Sequence, residues 1–258
     1  MDESITTEMD RRRLWLSHAL VAVITIVVMV VLLALQPWSS EAVAAVQSFR
    51  MSISSSITEG NRLSEVAQEV AYIVPDRGLI TTNVGSEKLE IIAIGEDIYA
   101  TDKGLTAGVT SIAVWMSLEA IIPGKEHTET TLGQLTDVEE LAIERIGGVT
   151  CRHYRGRMDL TGAIEEQIAG LDPDDPNYEY MLEMLDAEIA MMQQIVTNIE
   201  VWAGRDDGFV RQVKYEAEMP TGESTSTLMQ YYDINRVIEI EPPLDSSGRL
   251  LPGWYKAG

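Results

Sequence analysis

The chain contains 258 residues, 41 of them acidic and 19 basic, and its formal net charge at pH 7 is −22. A surface with this charge repels nucleic acid and anionic lipid headgroups, so we exclude a nucleic-acid partner and expect any lipid contact of the folded domain to be sheltered and apolar. Cys151 is the only cysteine, which excludes an internal disulfide and a thiolate zinc cluster. The fold must therefore be stabilised by its apolar core.

An apolar run, diluted near its start by Ser17 and His18, extends from Leu14 to Leu35, directly after Arg11-Arg12-Arg13. As a helix this run is about 33 Å long, enough to cross the roughly 30 Å hydrocarbon core of a bilayer. Because the next basic residue after the run is Arg50, the positive-inside rule predicts the orientation. We expect residues 1–13 to be a cytoplasmic tail, 14–35 a transmembrane signal anchor, and 36–258 an exported domain of a single-pass cell-membrane protein.

A cleaved signal peptide is the alternative interpretation of the same run. Ala42-Val43-Ala44 has the small-residue pattern of a cleavage site. However, the run is longer than the roughly 7 to 15 residues of a signal-peptide core, and the possible cleavage site lies well beyond its end. We therefore predict an uncleaved anchor.

Alternation of apolar and polar residues dominates the exported part, and this period of two is typical of strands that bury one face. Leu89–Asp102 reads as one strand or as two strands separated by Gly95-Glu96-Asp97. Leu63–Val74 fits both a helix and an alternating strand. The remaining segments predicted as strands are residues 49–53, 199–203, 209–217, 225–233 and 237–241.

Two segments carry helix signals. Thr136-Asp137-Val138-Glu139 is a capping box, and Gly147-Gly148 follows, so a short helix is predicted between them. A longer helix is predicted from Asp175, as its N-cap, to about Thr197, with Pro176 in the first turn. Its apolar residues cover more than a narrow stripe, so we expect it to bury a broad face. These elements indicate the α+β class, an antiparallel sheet with a few helices packed on one face.

Several segments, taken in chain order, are similar to one family. They are Pro75-Asp76-Arg77, Gly95–Tyr99, Glu144–Val149 leading into Cys151–Gly156, Val201–Arg211, and Tyr232–Asn235 with Pro242-Pro243. In these segments the chain resembles the mycobacterial LppX/LprA/LprG lipoproteins. The resemblance implies the lipoprotein-carrier fold shared more distantly with LolA and LolB: a strongly curved antiparallel sheet, or half-open β-barrel, with helices over its concave face. It also implies that Leu63–Val74 is a strand.

The resemblance further implies a function. Members of this family hold acyl chains or lipidated proteins between the sheet and the helices. For this chain it implies a membrane-anchored binding protein that shelters a lipid, glycolipid or lipidated protein in an apolar cavity, for transfer or presentation. Some proteins with the same kind of fold instead bind envelope proteins and control signalling, so a sensory or regulatory module with a protein partner is the alternative.

Two features depart from the family pattern. The acylated N-terminal cysteine of the family is missing, and the membrane span at residues 14–35 takes its role. The acidic segment Leu171–Asn198 has no close counterpart in the family. The identity of the ligand is therefore not transferred from the family to this chain.

Apolar residues on the predicted strands and on the long predicted helix are the candidates for lining the cavity. The chain has 12 methionines but two phenylalanines. Methionine side chains repack around ligands of irregular shape, although ordinary core filling explains the same composition. The candidate lining residues are Phe49, Met51, Ile53, Ile91, Trp115, Met181, Met184, Leu185, Met192 and Trp202.

Residues suited to catalysis or to metal binding are few. The exported part has two histidines, His127 and His153, and no nucleophile-elbow, metalloprotease or paired-cysteine motif. We interpret His153 as an ordinary surface or hairpin residue. The acidic segment 172–179 is not an EF-hand loop, because Pro176 occupies a ligand position and the glycine and the distant glutamate are absent. We therefore predict no enzyme activity, no metal site and no cofactor.

Overall fold

The structure, a computed structural model, covers most of the predicted exported domain. It describes residues 46–60, 62–85, 87–103, 114, 118–119, 121–158, 168–173 and 177–257. The predicted cytoplasmic tail and transmembrane segment lie outside these ranges. Of the helices within them, none is long and apolar enough to cross a bilayer.

Strands make up most of the described chain. They are β1 (Ser48–Glu59), β2 (Arg62–Ile73), β3 (Arg77–Val84), β4 (Glu87–Ile94), β5 (Asp97–Ala100), β6 (Leu135–Ile146), β7 (Val149–Met158), β8 (Val196–Gly204), β9 (Val210–Glu218), β10 (Ser224–Tyr232) and β11 (Tyr255–Lys256). The helices that lie wholly within the described ranges are α1 (Lys125–Gly133) and α2 (Tyr178–Met192). The predicted α+β class is therefore confirmed.

The strands hydrogen-bond in the order β11-β5-β4-β3-β2-β1-β10-β9-β8-β7-β6. Every pair with a defined register is antiparallel. Most neighbours in this order are also neighbours in the sequence, which is typical of sheets built from hairpins. Leu63–Val74, which fits either a helix or a strand, lies almost entirely in β2 and is a strand, as the family resemblance implies.

The chain divides into two compact units. Unit 1 contains the described residues up to Met51, those of Val66–Ile122 and those of Asp233–Gly258, and unit 2 contains Ser52–Glu65 and Pro123–Tyr232. In unit 1 the Phe49 ring meets the Tyr72 ring edge-on, with ring centroids 5.8 Å apart, and both side chains are fully buried. A second apolar cluster of unit 1 is formed by Ala71, Ile92, Tyr99, Ile238 and Ile240.

The segment Val237–Glu241, which the sequence predicts to be a strand, belongs to none of the strands in the described ranges. Its alternation nevertheless identifies the correct side chains, because Ile238 and Ile240 are buried while Val237 is 94% exposed. Its backbone is held partly by a side chain, since Arg77 Nη1 donates a hydrogen bond of 3.3 Å to the Ile240 carbonyl. The alternation in this segment arises because Ile238 and Ile240 pack against the apolar cluster, and not because the segment pairs with a strand of the sheet.

The hairpin of β8 and β9 supplies much of the core of unit 2. Val201 pairs with Val213, and both are buried. The pairing shifts between Trp202 and Ala203, where β9 carries a bulge. Val210, which strict alternation places on the wet face, is fully buried because of this shift.

β6 replaces the short helix that the capping-box sequence predicts. The prediction is wrong because this segment pairs antiparallel with β7, and Gly147-Gly148 forms the hairpin turn with positive φ at both glycines. β6 is last in the strand order, and most of its side chains are exposed on both faces. An outer strand of this kind lacks the alternation that identifies half-buried strands.

α2 confirms the long predicted helix, but it ends at Met192, and β8 already begins at Val196. The expected broad buried face is absent from the side chains that the structure describes, which are at most half-buried. Those that are half-buried recur every three or four residues and form one stripe, the α2 stripe. The α2 stripe consists of Tyr178, Met181, Leu182, Leu185, Ile189 and Met192.

α1 is a helix that the sequence analysis does not predict. Its sequence, rich in threonine and ending in glycine, has a low intrinsic helix propensity. The helix is held by a tertiary contact, because Thr128 Oγ1 donates a hydrogen bond of 2.7 Å to the Gly208 carbonyl in the turn between β8 and β9. Tertiary context therefore overrides local propensity in α1.

Candidate functional site

Three of the predicted lining residues belong to unit 1. Phe49 and Met51 have no exposed surface and belong to its core. Ile91 is half-buried in β4, where it pairs with Ile80 of β3 and Ala100 of β5. In the described part of unit 1, these residues pack within the protein.

Other predicted lining residues lie in unit 2 or outside the described ranges. Ile53 is buried in β1, and Trp202 is buried in β8. Trp115 lies outside the described residues. Trp202 pairs with His153 of β7, and the two rings are stacked with centroids 4.1 Å apart. Trp202 therefore packs in this face of the sheet.

The four predicted lining residues on α2 do not share one surface. Met181, Leu185 and Met192 belong to the α2 stripe. Met184 lies beside the stripe and is 55% exposed. At about 100° per residue, the stripe occupies one side of the helix, and Ala187 lies on the opposite side. Three of the four residues are thus positioned to contact the same apolar partner.

A hollow of about 350 Å³, the α2 hollow, lies in unit 2 where the chain passes from α2 into β8. Its volume is at the lower end of the range of ligand pockets, roughly 300–1,000 Å³. It is lined by Thr136, Asp137, Arg157, Met158, Gln193, Ile195, Val196 and Thr197.

Backbone and side-chain hydrogen bonds fix the wall of the α2 hollow. Thr197 Oγ1 donates to the Met158 carbonyl at 2.9 Å and accepts from the Met158 amide at 3.1 Å, which ties the end of β7 to the start of β8. The Ile195 amide donates to the Met192 carbonyl at 3.0 Å, so the hollow follows directly on the last turn of α2. The site therefore combines a rigid strand wall with a helix end.

The chemistry of the α2 hollow is mixed. Met158, Ile195 and Val196 supply an apolar side, and Val196 is 52% exposed. Asp137 and Arg157 supply one charge of each sign, and Thr136 supplies a hydroxyl. Such a lining suits a molecule with an apolar chain and a small polar group.

A second, smaller hollow of about 260 Å³ lies in unit 1. Ile73, Ile238 and Ile240 form its apolar part, while Arg77 and Glu239 with Glu241 form its charged part. Because Arg77 is already bound to the Ile240 carbonyl, this hollow offers fewer free polar groups than the α2 hollow.

A polar cluster around the buried His153 ring, the His153 cluster, joins β6, β7 and β8. His153 Nδ1 lies 3.0 Å from Glu144 Oε1, and His153 Nε2 lies 2.8 Å from Glu200 Oε2. Trp202 Nε1 donates to Glu144 Oε2 at 3.0 Å, and Arg155 Nη2 donates to Glu200 Oε1 at 3.2 Å. The His153 side chain is 7% exposed and lies in the β6–β7 hairpin, so of the two predicted placements, surface or hairpin, the structure has the hairpin. Its two carboxylate partners come from β6 and β8, and no local sequence signal indicates this arrangement.

Cys151, two residues before His153 in β7, is a buried free thiol. Burial raises the pKa of the Cys151 thiol, which disfavours the thiolate that a nucleophile requires. Within the described ranges, no group of three or more His, Cys, Asp or Glu side chains is placed to hold a metal ion.

Comparison with known proteins shows similarity in structure. No protein-family model matches the chain, and no curated protein matches its sequence. LppX, a lipoprotein of Mycobacterium tuberculosis, matches with a TM-score of 0.43 and 11% sequence identity over 84% of this chain and 99% of LppX. LprF from Mycobacterium bovis matches with a TM-score of 0.44 and 10% identity over 85% of this chain and 97% of LprF. A LolA-superfamily protein from Nitrosomonas europaea matches with a TM-score of 0.28 and 9% identity over 78% of this chain and 92% of that protein. These solved structures are at most 11% identical to the chain, and their TM-scores lie below 0.5.

Proposed function

We propose that this protein is a membrane-anchored, extracytoplasmic binding protein that shelters a lipid, glycolipid or lipidated protein, and that it transfers or presents this ligand without catalysing a reaction. The observation that carries the proposal is α2, a methionine-rich helix whose apolar stripe stays only half-buried and whose end meets the α2 hollow. Apolar surface that a protein leaves open commonly marks a binding site.

The α2 stripe and the apolar side of the hollow form one path in this proposal. Met192 ends the stripe, and Ile195 and Met158 continue it into the hollow. Methionine side chains have several rotatable bonds and adjust to a flexible hydrocarbon chain. Arg157 and Asp137 then lie where the polar end of an amphiphile emerges.

The charge and the predicted anchor favour local transfer over free shuttling. With a net charge of −22, the protein gains nothing from adhering to anionic headgroups, so the apolar chain of the ligand supplies the binding energy. A domain that the predicted anchor holds at the membrane exchanges ligand with the nearby membrane or with a neighbouring protein.

Photolabelling of the full-length chain tests the proposal. A fatty acid that carries a diazirine, added in mild detergent, should label peptides covering α2 and residues 193–197. Met192→Glu introduces a charge at the mouth of the hollow and should reduce labelling of these peptides by at least about fivefold, because an unpaired carboxylate is costly in an apolar contact. Ala187→Glu adds the same charge on the opposite, exposed side of α2 and should leave labelling within about twofold of the parent. Equal labelling of both variants, with unchanged circular dichroism, would contradict the proposed path.

A protein partner is the second candidate, in keeping with a sensory or regulatory module. Tyr180 and Met184 lie on α2 outside the stripe and are 65% and 55% exposed. Tyrosine and methionine are enriched in protein interfaces. Native mass spectrometry of the purified full-length chain separates the candidates: retained acyl species support the lipid ligand, whereas a chain without lipid that carries one protein in fixed stoichiometry supports the partner.

A further inference from the structure

Residues 244–251 of unit 1 form a short hairpin, the C-terminal hairpin. Leu244 pairs with Leu250 in an antiparallel bridge, and beside this pair the Leu251 amide donates to the Pro243 carbonyl at 2.9 Å. Side chains directly opposite each other in such a pair share one face, and the next side chain points to the other face. Leu244, Leu250 and Leu251 are 37%, 38% and 41% exposed. The hairpin therefore exposes leucine on both of its faces.

One carboxylate fixes the turn of the C-terminal hairpin. Asp245 Oδ1 accepts hydrogen bonds from the Ser247 amide at 2.8 Å, from Ser247 Oγ at 2.6 Å and from the Arg249 amide at 3.0 Å. The Asp245 amide donates to the Arg249 carbonyl at 2.8 Å. Aspartate side chains that bind the backbone two residues further on are typical of tight turns. The leucines are thus held in place before a partner binds, which lowers the entropic cost of binding.

Two aromatic residues extend the apolar surface of the C-terminal hairpin. The Trp254 amide donates to the Leu251 carbonyl at 3.2 Å, and the half-buried Trp254 side chain packs against the apolar cluster of unit 1. The next residue, Tyr255, is 42% exposed in β11, which is first in the strand order. Tryptophan and tyrosine are enriched where membrane proteins meet the headgroups of a bilayer. The composition of this surface is therefore that of an interfacial membrane contact.

The charges around the C-terminal hairpin are balanced, in contrast to the net charge of −22 for the whole chain. Arg249 binds Asp245 at 3.3 Å, and Lys256 binds Asp97 at 2.7 Å. No acidic residue follows Asp245 in the sequence, and Glu241, which precedes it, lines the second, smaller hollow. These ion pairs leave the hairpin without the excess negative charge that repels lipid headgroups.

A lipid surface suits the C-terminal hairpin better than a folded protein partner. Its three leucines and Tyr255 together expose far less than the about 800 Å² that each partner buries in a stable protein interface. An apolar patch of this size binds a bilayer only marginally by itself, and stable attachment takes a second signal. The transmembrane anchor of the proposed function supplies that signal, and β1 of unit 1 follows it in the chain.

We infer that the C-terminal hairpin and Tyr255 insert into the headgroup region of the bilayer that the anchor spans, and so hold unit 1 against the membrane. The inference rests on the anchor of the proposed function but not on a bound lipid ligand. Because the leucines leave water on insertion, the contact is apolar and does not require anionic lipid.

Fluorescence quenching of the full-length chain in phosphatidylcholine vesicles tests the inference. The Leu251→Cys variant is labelled with nitrobenzoxadiazole, and the lipids carry a nitroxide on their acyl chains. Insertion of the hairpin should quench this label by at least about twofold. Val237→Cys is the matched control, because Val237 belongs to unit 1, is 94% exposed and lies outside the hairpin, so its label should stay unquenched. Cys151 has no exposed surface and is common to both variants.

A carboxylate on the hairpin provides the second measurement. Leu250→Glu should abolish quenching of the label at position 251, whereas Val237→Glu should leave it unchanged. Flotation of the vesicles in a density gradient reports separately on the anchor. If the chain floats but position 251 is not quenched, or if Leu250→Glu leaves the quenching unchanged, the inference is overturned while the anchor stands. If the chain does not float, the proposed anchor fails and the inference fails with it.

Discussion

Replacing Phe49 with alanine is expected to lower the free energy of unfolding by about 3–5 kcal/mol. The Phe49 side chain has no exposed surface, and its ring meets Tyr72 edge-on at 88°. Truncation to alanine removes the burial of the ring, leaves a cavity and breaks the aromatic pair, and these losses act together. For a domain whose stability is of the usual order, about 5–15 kcal/mol, this is a large fraction of the total.

Thermal unfolding followed by circular dichroism measures this loss, which should lower the midpoint by roughly 6–20 °C for a domain of this size. Phe209, the other phenylalanine, provides a matched control. It is half-buried next to the β8–β9 turn, with the guanidinium carbon of Arg211 5.7 Å from its ring centroid. Phe209→Ala should therefore cost less than half as much. If the two variants unfold alike, Phe49 is not a core residue, and its predicted role in lining a cavity becomes the better interpretation.

Strands that bury one face are the part of the fold that the sequence predicts well. β1 begins with Phe49, Met51 and Ile53 buried in alternation, and the first half of β8 and most of β10 follow the same rule. Alternation succeeds in these strands because one face packs against apolar side chains while the other meets water. Alternation fails where a bulge inserts an extra residue, as between Val210 and Gln212. Residues on the two sides of the bulge follow opposite alternation, so Val210 faces the core.

Two segments show that the local sequence pattern does not determine whether a segment pairs with a neighbouring strand. Val237–Glu241 alternates like a strand but lies in none of the described strands, and Thr136–Glu139 has the composition of a helix cap but lies in β6. In β6 the partner strand decides, because the hairpin through Gly147-Gly148 satisfies backbone groups that a short, exposed helix would leave to water. Neither outcome is encoded within the segment itself.

The candidate site was predictable only in part. The sequence identifies α2 and its methionines. It does not show that Met192 belongs to the half-buried α2 stripe while Met184 is exposed, because this depends on which side of the helix packs against the rest of the protein. The His153 cluster was not predictable, because Glu144 reaches His153 only when residues 135–146 form a strand next to β7. The wrong prediction for β6 thus concealed the His153 cluster.

Gly156→Val is expected to destabilise the protein by about 3 kcal/mol through overpacking. Gly156 is buried in β7, and a Cβ atom at this position would lie 2.9 Å from Leu135 Cβ and 3.1 Å from the Thr136 carbonyl oxygen. The carbonyl belongs to the backbone of β6 and cannot move aside without shifting the strand. Because Thr136 also lines the α2 hollow, the same variant should reduce photolabelling of residues 193–197 by the fatty-acid probe.

Gly133→Ala is the matched control, and urea denaturation of both variants checks the prediction. Gly133 ends α1, has no positive φ and would place its Cβ in open space, so alanine there should be neutral or stabilise by up to about 1 kcal/mol. If Gly156→Val lowers the free energy of unfolding by less than about 1 kcal/mol, the backbone of β6 does not lie against Gly156. Leu135 and Thr136 lie against Gly156 only if residues 135–146 form a strand beside β7. A valine that costs no stability would therefore contradict this strand and the His153 cluster that depends on it, and would favour the helix that the capping-box sequence predicts.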